Sequence, residues 1–520
     1  MRFLKKTSPR RSQVRKNITT ERFLRISRLA DTDFLISFLL WLLFVVLCVS
    51  ILSFELIPQA RYREVIPIAA IVMLISLAAG FYIHHYQKRI AKNHVRALAL
   101  LGLFILLLAT TRLGNLLTNR TSWATGTAVT AAIILAIAYD QRFAIGMSIF
   151  YCIFACFAAG TLANISLFLT MASGVFACCF SLREIRTRMK LLEVSAIAAV
   201  VVFTTALTLG FLAQNYQTAR VFSNAGLHAV AAFLAGLLIQ SLLPLIEKIF
   251  RIATSMTLLG YSDANQPLLK KLAMEAPGTL SHSLLLGSIA EAAAEAISRN
   301  GLLCRVGAYY HDIGKVNKPA YFIENETGSM SRHKELSPAM SQLIIVGHVK
   351  DGIEMAREYG LPTVLRQFIE THHGTTLVEY FYSEAKKLKA KNSKLKDVAA
   401  PSESEFRYAG PKPRTKEAAI VMLADTVEGA VRSITEITPT KIEAVVHNMA
   451  MKRLQDGQFD ECDLSLRELS QIETSMTKTL AAHYHGRIAY PKAPDTPEGT
   501  LTIENEERKR DSKLQTNGQS

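Results

Sequence analysis

His282, His311, Asp312, His348, His372, His373 and Asp425 are imidazoles and carboxylates in a stretch that otherwise reads as helix. These are the side chains that hold hard or borderline divalent metals; Fe, Mn, Zn, Ni and Co all suit a mixed nitrogen and oxygen set that no cysteine joins. A pair of such metals a few ångström apart activates water against a phosphate ester. Adjacent His311 and Asp312 point about 100° apart on a helix, so both reach one metal pair only if a helix end is aimed at it. His372-His373 is predicted to repeat that arrangement on another helix, followed by Gly374, a residue suited to a helix C-terminal cap. His282 and His348 are expected singly on helices. Asp425 falls in the apolar run Ile420–Thr426, where a carboxylate needs a metal, a cation or hydrogen bonds. Any one histidine reads more simply as a satisfied core residue, and His333 keeps that reading. The ordered set outweighs it.

The elements that must position these groups divide sharply. Long uncharged apolar runs fill residues 34–247, and runs near 20 residues match a hydrocarbon core of ~30 Å. About eight spans are predicted, at 34–57, 64–84, 97–117, 122–139, 143–160, 162–181, 191–213 and 225–246; the fifth and sixth crowd around Gly160-Thr161, giving seven or eight. The apolar stretch from Phe34 exceeds a signal-peptide core and is expected to stay as a span. Residues 1–33 are a basic segment: over residues 1–32, Arg2, Lys5, Lys6, Arg10, Arg11, Arg15, Lys16, Arg22, Arg25 and Arg28 stand against Glu21 and Asp31. With the N-terminus inside, alternate loops carry Lys88, Arg89, Lys92 and Arg96, then Arg142, then Arg183, Arg186, Arg188 and Lys190, following the positive-inside pattern. An even number of spans returns the C-terminal region to the cytoplasm. The net charge of +16 is therefore assigned to membrane orientation and anionic lipid, not to DNA or RNA. Cys48, Cys152, Cys156, Cys178, Cys179, Cys304 and Cys462 form no paired framework and read as small apolar residues of a reducing compartment. Arg112, Asp140 and His228 are polar groups in or near spans, for which span ends and helix hydrogen bonds are a simpler account than a transport path.

From Glu247 the chain turns polar. Residues 248–490 lack alternating strand patterns and are expected to form an all-helical soluble domain. Residues 383–416 interrupt it with a lysine-rich run and a Gly-Pro-Lys-Pro stretch, expected as a solvated excursion or a lid. Residues 491–520, opening with Pro491, Pro494 and Pro497, are expected to be disordered.

The order His, His-Asp, His, His-His, Asp resembles the HD-domain metal phosphohydrolase superfamily. The surrounding text is similar to one branch, the seven-transmembrane-receptor HD hydrolases of the PgpH type. The matching stretches are PGTLSHS (277–283), LLCRVGAYYHDIGK (302–315), YFIEN (321–325), HKELSP (333–338), IIVGHVKDG (344–352), HHGTTLVEYFY (372–382), the block 405–433 and DGQFDECDLSL (456–466). That resemblance implies an all-α chain, a multi-span membrane domain followed by a cytoplasmic HD domain, in a bacterial inner membrane. It implies hydrolysis of cyclic di-AMP to the linear pApA, with two divalent metals, Mn or Fe. Carried over, His282, His311, Asp312 and Asp425 hold one metal; Asp312 bridges to the second, held by His348, His372 and His373. Lys315 contacts the scissile phosphate or stabilises developing charge. Implied partners are the cyclic dinucleotide and the bilayer, and a homodimer is compatible. Two departures stand out. Relatives of this architecture commonly carry a large extracellular domain between the first two spans, where this chain has only about residues 58–63. Gly-Thr-Thr after His373 also differs from the branch that degrades cyclic di-GMP. The competing readings are an HD hydrolase of cyclic di-GMP or (p)ppGpp, and a receptor whose HD domain binds nucleotide without catalysis.

Overall fold

A computed structural model describes residues 34–485, apart from 55–61, 88–89, 91–92, 161–164, 183–184, 186, 214–216, 327–331, 392–400 and 435. The basic segment 1–33, the tail 491–520, part of the 383–416 insertion and several of the basic loop residues used for orientation therefore lie outside the described residues. The described chain is all-helical, with one isolated antiparallel bridge between Leu377 and Arg407. It falls into two compact units, one within residues 1–283, 306–370 and 380–401, the other within 284–305, 371–379 and 402–520.

The first unit opens with eight apolar helices: α1 (Phe34–Leu52), α2 (Tyr62–Tyr86), α3 (His94–Thr118), α4 (Ser122–Ala138), α5 (Gln141–Ala158), α6 (Ile165–Ser181), α7 (Arg188–Leu212) and α8 (Thr218–Phe250). Six are long and apolar enough to cross a membrane, while α4 and α6 are shorter apolar helices. At 17 residues, α4 rises only about 26 Å. It is instead the centre of the bundle, packing against α5, α6 and α8. Its sequence SWATGTAVTAAIILAIA explains this: small side chains let neighbours approach, and nearly every residue from Ala124 to Leu135 is buried. Buried hydroxyls inside the bundle are satisfied locally. Thr111 Oγ1 bonds Leu107 O at 3.0 Å and meets Thr127 Oγ1 at 2.6 Å and the Tyr151 hydroxyl at 3.1 Å.

The polar residues near the spans have structural partners. Asp140 caps α5, accepting from Phe143 N at 2.8 Å and from Gln87 Nε2 at 2.8 Å. Arg112 donates to Ala158 O at 3.3 Å. His228 meets Thr125 Oγ1 at 2.6 Å and Thr121 Oγ1 at 3.4 Å. α8 exceeds its predicted span of 225–246, running 33 residues or about 50 Å, well beyond a ~30 Å hydrocarbon core. It stops at Arg251, which adopts φ 54°, and Glu247 ties down the exit by accepting from Thr254 N at 2.7 Å and Thr257 Oγ1 at 2.9 Å.

Beyond the bundle follow α9 (Ser255–Tyr261), α10 (Pro267–Glu275), α11 (Pro277–Ala296), α12 (Gly301–Tyr310), α13 (Pro338–Glu358), α14 (Thr363–Thr371) and α15 (Glu379–Lys391). Proline at the first turn of α10 and α13 suits a position whose N–H has no helical partner. The second unit is organised by α16 (Lys416–Arg432), α17 (Pro439–Gln455) and α18 (Leu466–His485), which pack on one another and bury Ile420, Val427, Ile442, Val446, Ile472, Met476 and Leu480. Thr415 and Thr438 cap α16 and α17 through their hydroxyls. Within the insertion, residues 402–415 form an ordered edge, not a loose excursion: Val378 N donates to Phe406 O at 2.9 Å and Tyr408 N to Thr376 O at 3.0 Å.

Candidate metal centre

In the first unit the site is built where α12 ends. Tyr310 closes the helix, and Asp312 leads into a 3-10 turn, Ile313–Asn317. That turn lies against α13 through a glycine pair: a Cβ on Gly314 would stand 1.9 Å from His348 O and 2.5 Å from Gly352 N. The contact is backbone on backbone, and it brings Asp312 to His348. His311 Nε2 lies 3.1 Å from Asp312 Oδ2, His348 Nε2 lies 3.2 Å from Asp312 Oδ1, and His282, from α11, approaches Oδ2 at 4.0 Å. His282, His311, Asp312 and His348 are all buried.

The backbone sets the tautomers. His311 Nδ1 faces Ala308 O at 2.6 Å, and His348 Nδ1 faces Ile345 O. A carbonyl only accepts, so each Nδ1 carries hydrogen and each neutral ring presents its Nε2 lone pair to Asp312. Lone pairs of two nitrogens aimed at two carboxylate oxygens call for a cation between them: a proton on the ring or a divalent metal. Carbonyl-anchored histidines around a shared carboxylate are the usual support of metal ligands. Burial opposes ionisation of Asp312, but the adjacent His311 and Lys315 outweigh it and hold the carboxyl well below the usual range.

Lys315 is clamped by two carboxylates, with Nζ 2.7 Å from Asp312 Oδ2 and 2.7 Å from Glu324 Oε1, above the Phe322 ring at 4.9 Å. Burial works against its charge, and the two carboxylates more than compensate, raising its pKa. Glu324 also accepts from Thr279 Oγ1 at 3.0 Å. Sequence reasoning gives Glu324 no role, although it sits in the YFIEN stretch; an acidic residue in that apolar context is the signal that could have found it. Lys315→Met should cost about 3 kcal/mol of stability, because it leaves two buried carboxylates without their cation. Adding Glu324→Gln should return most of that loss in thermal unfolding of the full chain; a double variant no more stable than the single one would contradict the clamp.

In the second unit His372 and His373 lie just past the end of α14, not on it, in a turn closed by Gly374 N to Thr371 O at 3.0 Å. Gly374 has φ 50°, the left-handed conformation expected of a glycine that stops a helix. The two imidazoles stand 4.0 Å apart, and His373 stacks on Tyr408 at 4.3 Å. His373 Nδ1 lies 3.8 Å from Asp425 Oδ2. Asp425, on α16, also has a cation within range of its charge: Arg453, whose guanidinium donates to Thr426 Oγ1 at 3.1 and 3.0 Å. Sequence reasoning misses Arg453, which lies 28 residues beyond Asp425 on α17.

Two groupings of donor side chains result, one within each unit: His282, His311, Asp312 and His348 in the first, and His372, His373 and Asp425 in the second. All seven residues singled out by type and order are therefore in the groupings. His333 is not, and its Nε2 meets Tyr321 O at 2.8 Å, as its reading as a structural residue requires.

Residues 279–430 match the HD domain, the class of protein that an ordered His/Asp cluster in an all-helical frame defines. Residues 62–254 match the family described as 7TM receptor with intracellular HD hydrolase. The chain is similar to that family over these residues, and it is a multi-pass membrane protein. It is 46% identical over 264 residues to the cyclic-di-AMP phosphodiesterase PgpH of Bacillus subtilis (strain 168), a match covering 51% of this chain and 36% of that one. Against the protein of the same name from Listeria monocytogenes serotype 1/2a (strain 10403S), identity is 42% over 279 residues, or 54% of this chain and 37% of the relative. The match thus spans little more than a third of the length of these curated relatives. The crystal structure of the L. monocytogenes PgpH HD domain in complex with cyclic-di-AMP is 44% identical, with a TM-score of 0.40, and covers 43% of this chain and 100% of that one.

Proposed function

We propose that this chain is a membrane-anchored, metal-dependent phosphodiesterase that hydrolyses cyclic di-AMP to pApA, with the HD domain on the cytoplasmic side of a bacterial inner membrane. The observation that carries the reading is the convergence on Asp312, whose two oxygens each meet a histidine of backbone-fixed tautomer. The naming of two relatives as cyclic-di-AMP phosphodiesterases supports the substrate.

By the family resemblance, His282, His311, Asp312 and Asp425 would hold one divalent ion, and Asp312, His348, His372 and His373 the other, with Mn or Fe suited to the donor set. Two such ions supply, when bound, a water of lowered pKa and neutralisation of charge on the phosphate. The protein does the rest. Asp312 contributes one oxygen to each half of the donor set, and buried carbonyls hold the rings in place. Lys315, fixed by Glu324, keeps a full positive charge beside Asp312 and stabilises charge developing on the phosphate. The stacked His373 and Tyr408 rings offer a flat face beside the site.

The test is product chromatography with the full chain in lipid nanodiscs, supplied with Mn²⁺ or Fe²⁺ and given cyclic di-AMP, cyclic di-GMP or ppGpp in turn. The expected result is pApA formed at least ~100-fold faster than cleavage of either other nucleotide. Preferential cleavage of cyclic di-GMP or ppGpp would reassign the substrate, and tight binding without turnover would favour the receptor reading. In the same assay Lys315→Met should lower kcat by about 100-fold, the size of one lost charge-stabilising contact, while bound metal is retained.

A further inference from the structure

The membrane bundle contains a polar cavity that the hydrolase reading leaves without a role. It measures about 170 Å³ and is lined from four helices at their ends away from Phe250. Thr121 precedes α4, Ser166 and Thr170 lie in the first turns of α6, Gly210 closes α7, and Asn224 and His228 lie near the start of α8. Because these helices alternate in direction, the early residues of α4, α6 and α8 and the late residues of α7 share one end of the bundle.

The lining chemistry is unlike that of the core around it. Elsewhere the bundle interior is mainly apolar, with buried hydroxyls such as those of Thr111, Ser148 and Ser195 set among it. Here hydroxyl, amide and imidazole groups converge on one space, and none of the lining residues is Lys, Arg, Asp or Glu. His228 is held by Thr125 and Thr121 at its two ring nitrogens, so its ring forms an oriented wall. Thr170 is buried at the inner end, while Asn224 is exposed at the other. Thr170 Oγ1 donates to Ser166 O at 2.8 Å, so this hydroxyl offers the space its acceptor lone pairs. An apolar cavity of about 150 Å³ holds benzene, which sets the size of guest such a space accepts.

We propose that this cavity is a binding site for a small, uncharged, hydroxyl- or amide-bearing solute. The absence of ionic side chains from its lining disfavours a charged guest, and the convergent hydroxyls disfavour an apolar one. The solute would contact α8 directly, the same helix that runs on to Glu247 and the ordered exit at Thr254 and Thr257.

The site can be tested through Trp123, which lies on α4 between Thr121 and Thr125; with only two tryptophans in the chain, Trp41→Phe leaves it as the sole reporter. The full chain in nanodiscs would be titrated with glycerol, and separately with lactate as a charged molecule of about the same size. A saturable fluorescence change with glycerol, absent with lactate, is expected. Half-saturation should shift at least ~10-fold upward in Thr170→Val, a near-isosteric change, and in His228→Phe. Each variant is first checked for an unchanged gel-filtration profile. A glycerol response that does not saturate, or that both variants keep unchanged, would overturn the site and leave a water-filled space. An equal response to lactate would overturn the solute class.

Discussion

Replacing Asp312 by alanine removes bound metal and turnover together. The carboxylate places one oxygen 3.1 Å from His311 and the other 3.2 Å from His348, so its loss removes the anion on which both histidines converge. A drop in kcat/KM of at least ~1,000-fold is expected, equivalent to about 4 kcal/mol of transition-state stabilisation. Metal analysis of the purified full chain should show less than half of the wild-type content. His348→Ala, which removes one imidazole and leaves the carboxylate, should retain more metal than Asp312→Ala. Wild-type metal content in Asp312→Ala, or activity within ten-fold of wild type, would sink the bridging role.

Gly314→Ala should be strongly disruptive for a single added methyl. Its Cβ would fall 1.9 Å from His348 O and 2.5 Å from Gly352 N, and neither is the end of a flexible side chain that can swing aside. The 3-10 turn must therefore lift off α13, carrying Asp312 away from His348. Overpacking of this kind costs about 3 kcal/mol, and loss of metal should accompany it. Gly347→Ala is the matched control: it lies one residue before His348 on the same helix, with open space where its Cβ would go. Alanine there should be neutral or stabilise the helix by up to about 1 kcal/mol. Thermal unfolding of the two variants in parallel separates the effects, and equal behaviour would refute the close-approach argument.

Much of the candidate site is legible in the sequence. Metal-ligating chemistry is confined to few residue types, so His282, His311, Asp312, His348, His372, His373 and Asp425 stand out by kind and order, and every one falls in the ligand groupings. The apolar runs are visible for a similar reason, since a span must be uncharged along its whole length. Boundaries are less legible. Residue pattern predicts His372 and His373 on a helix, yet they lie just beyond α14, because Gly374 at φ 50° already turns the chain there. α8 runs past its apolar run because Glu247 and Lys248 continue a helix as readily as they leave a membrane.

The sequence by itself determined the all-helical class, the multi-span membrane portion and the residue types of the candidate ligand set, all properties carried by residue type and local periodicity. Only the tertiary structure decided which groups support that set. The Glu324 clamp on Lys315, Arg453 beside Asp425, the Gly314 approach to α13 and the threonines around His228 all join residues distant in sequence or on separate helices. No periodicity encodes such pairings. They are fixed by the close packing of helices, which brings a few polar side chains and bare backbones within bonding distance and leaves the rest apart.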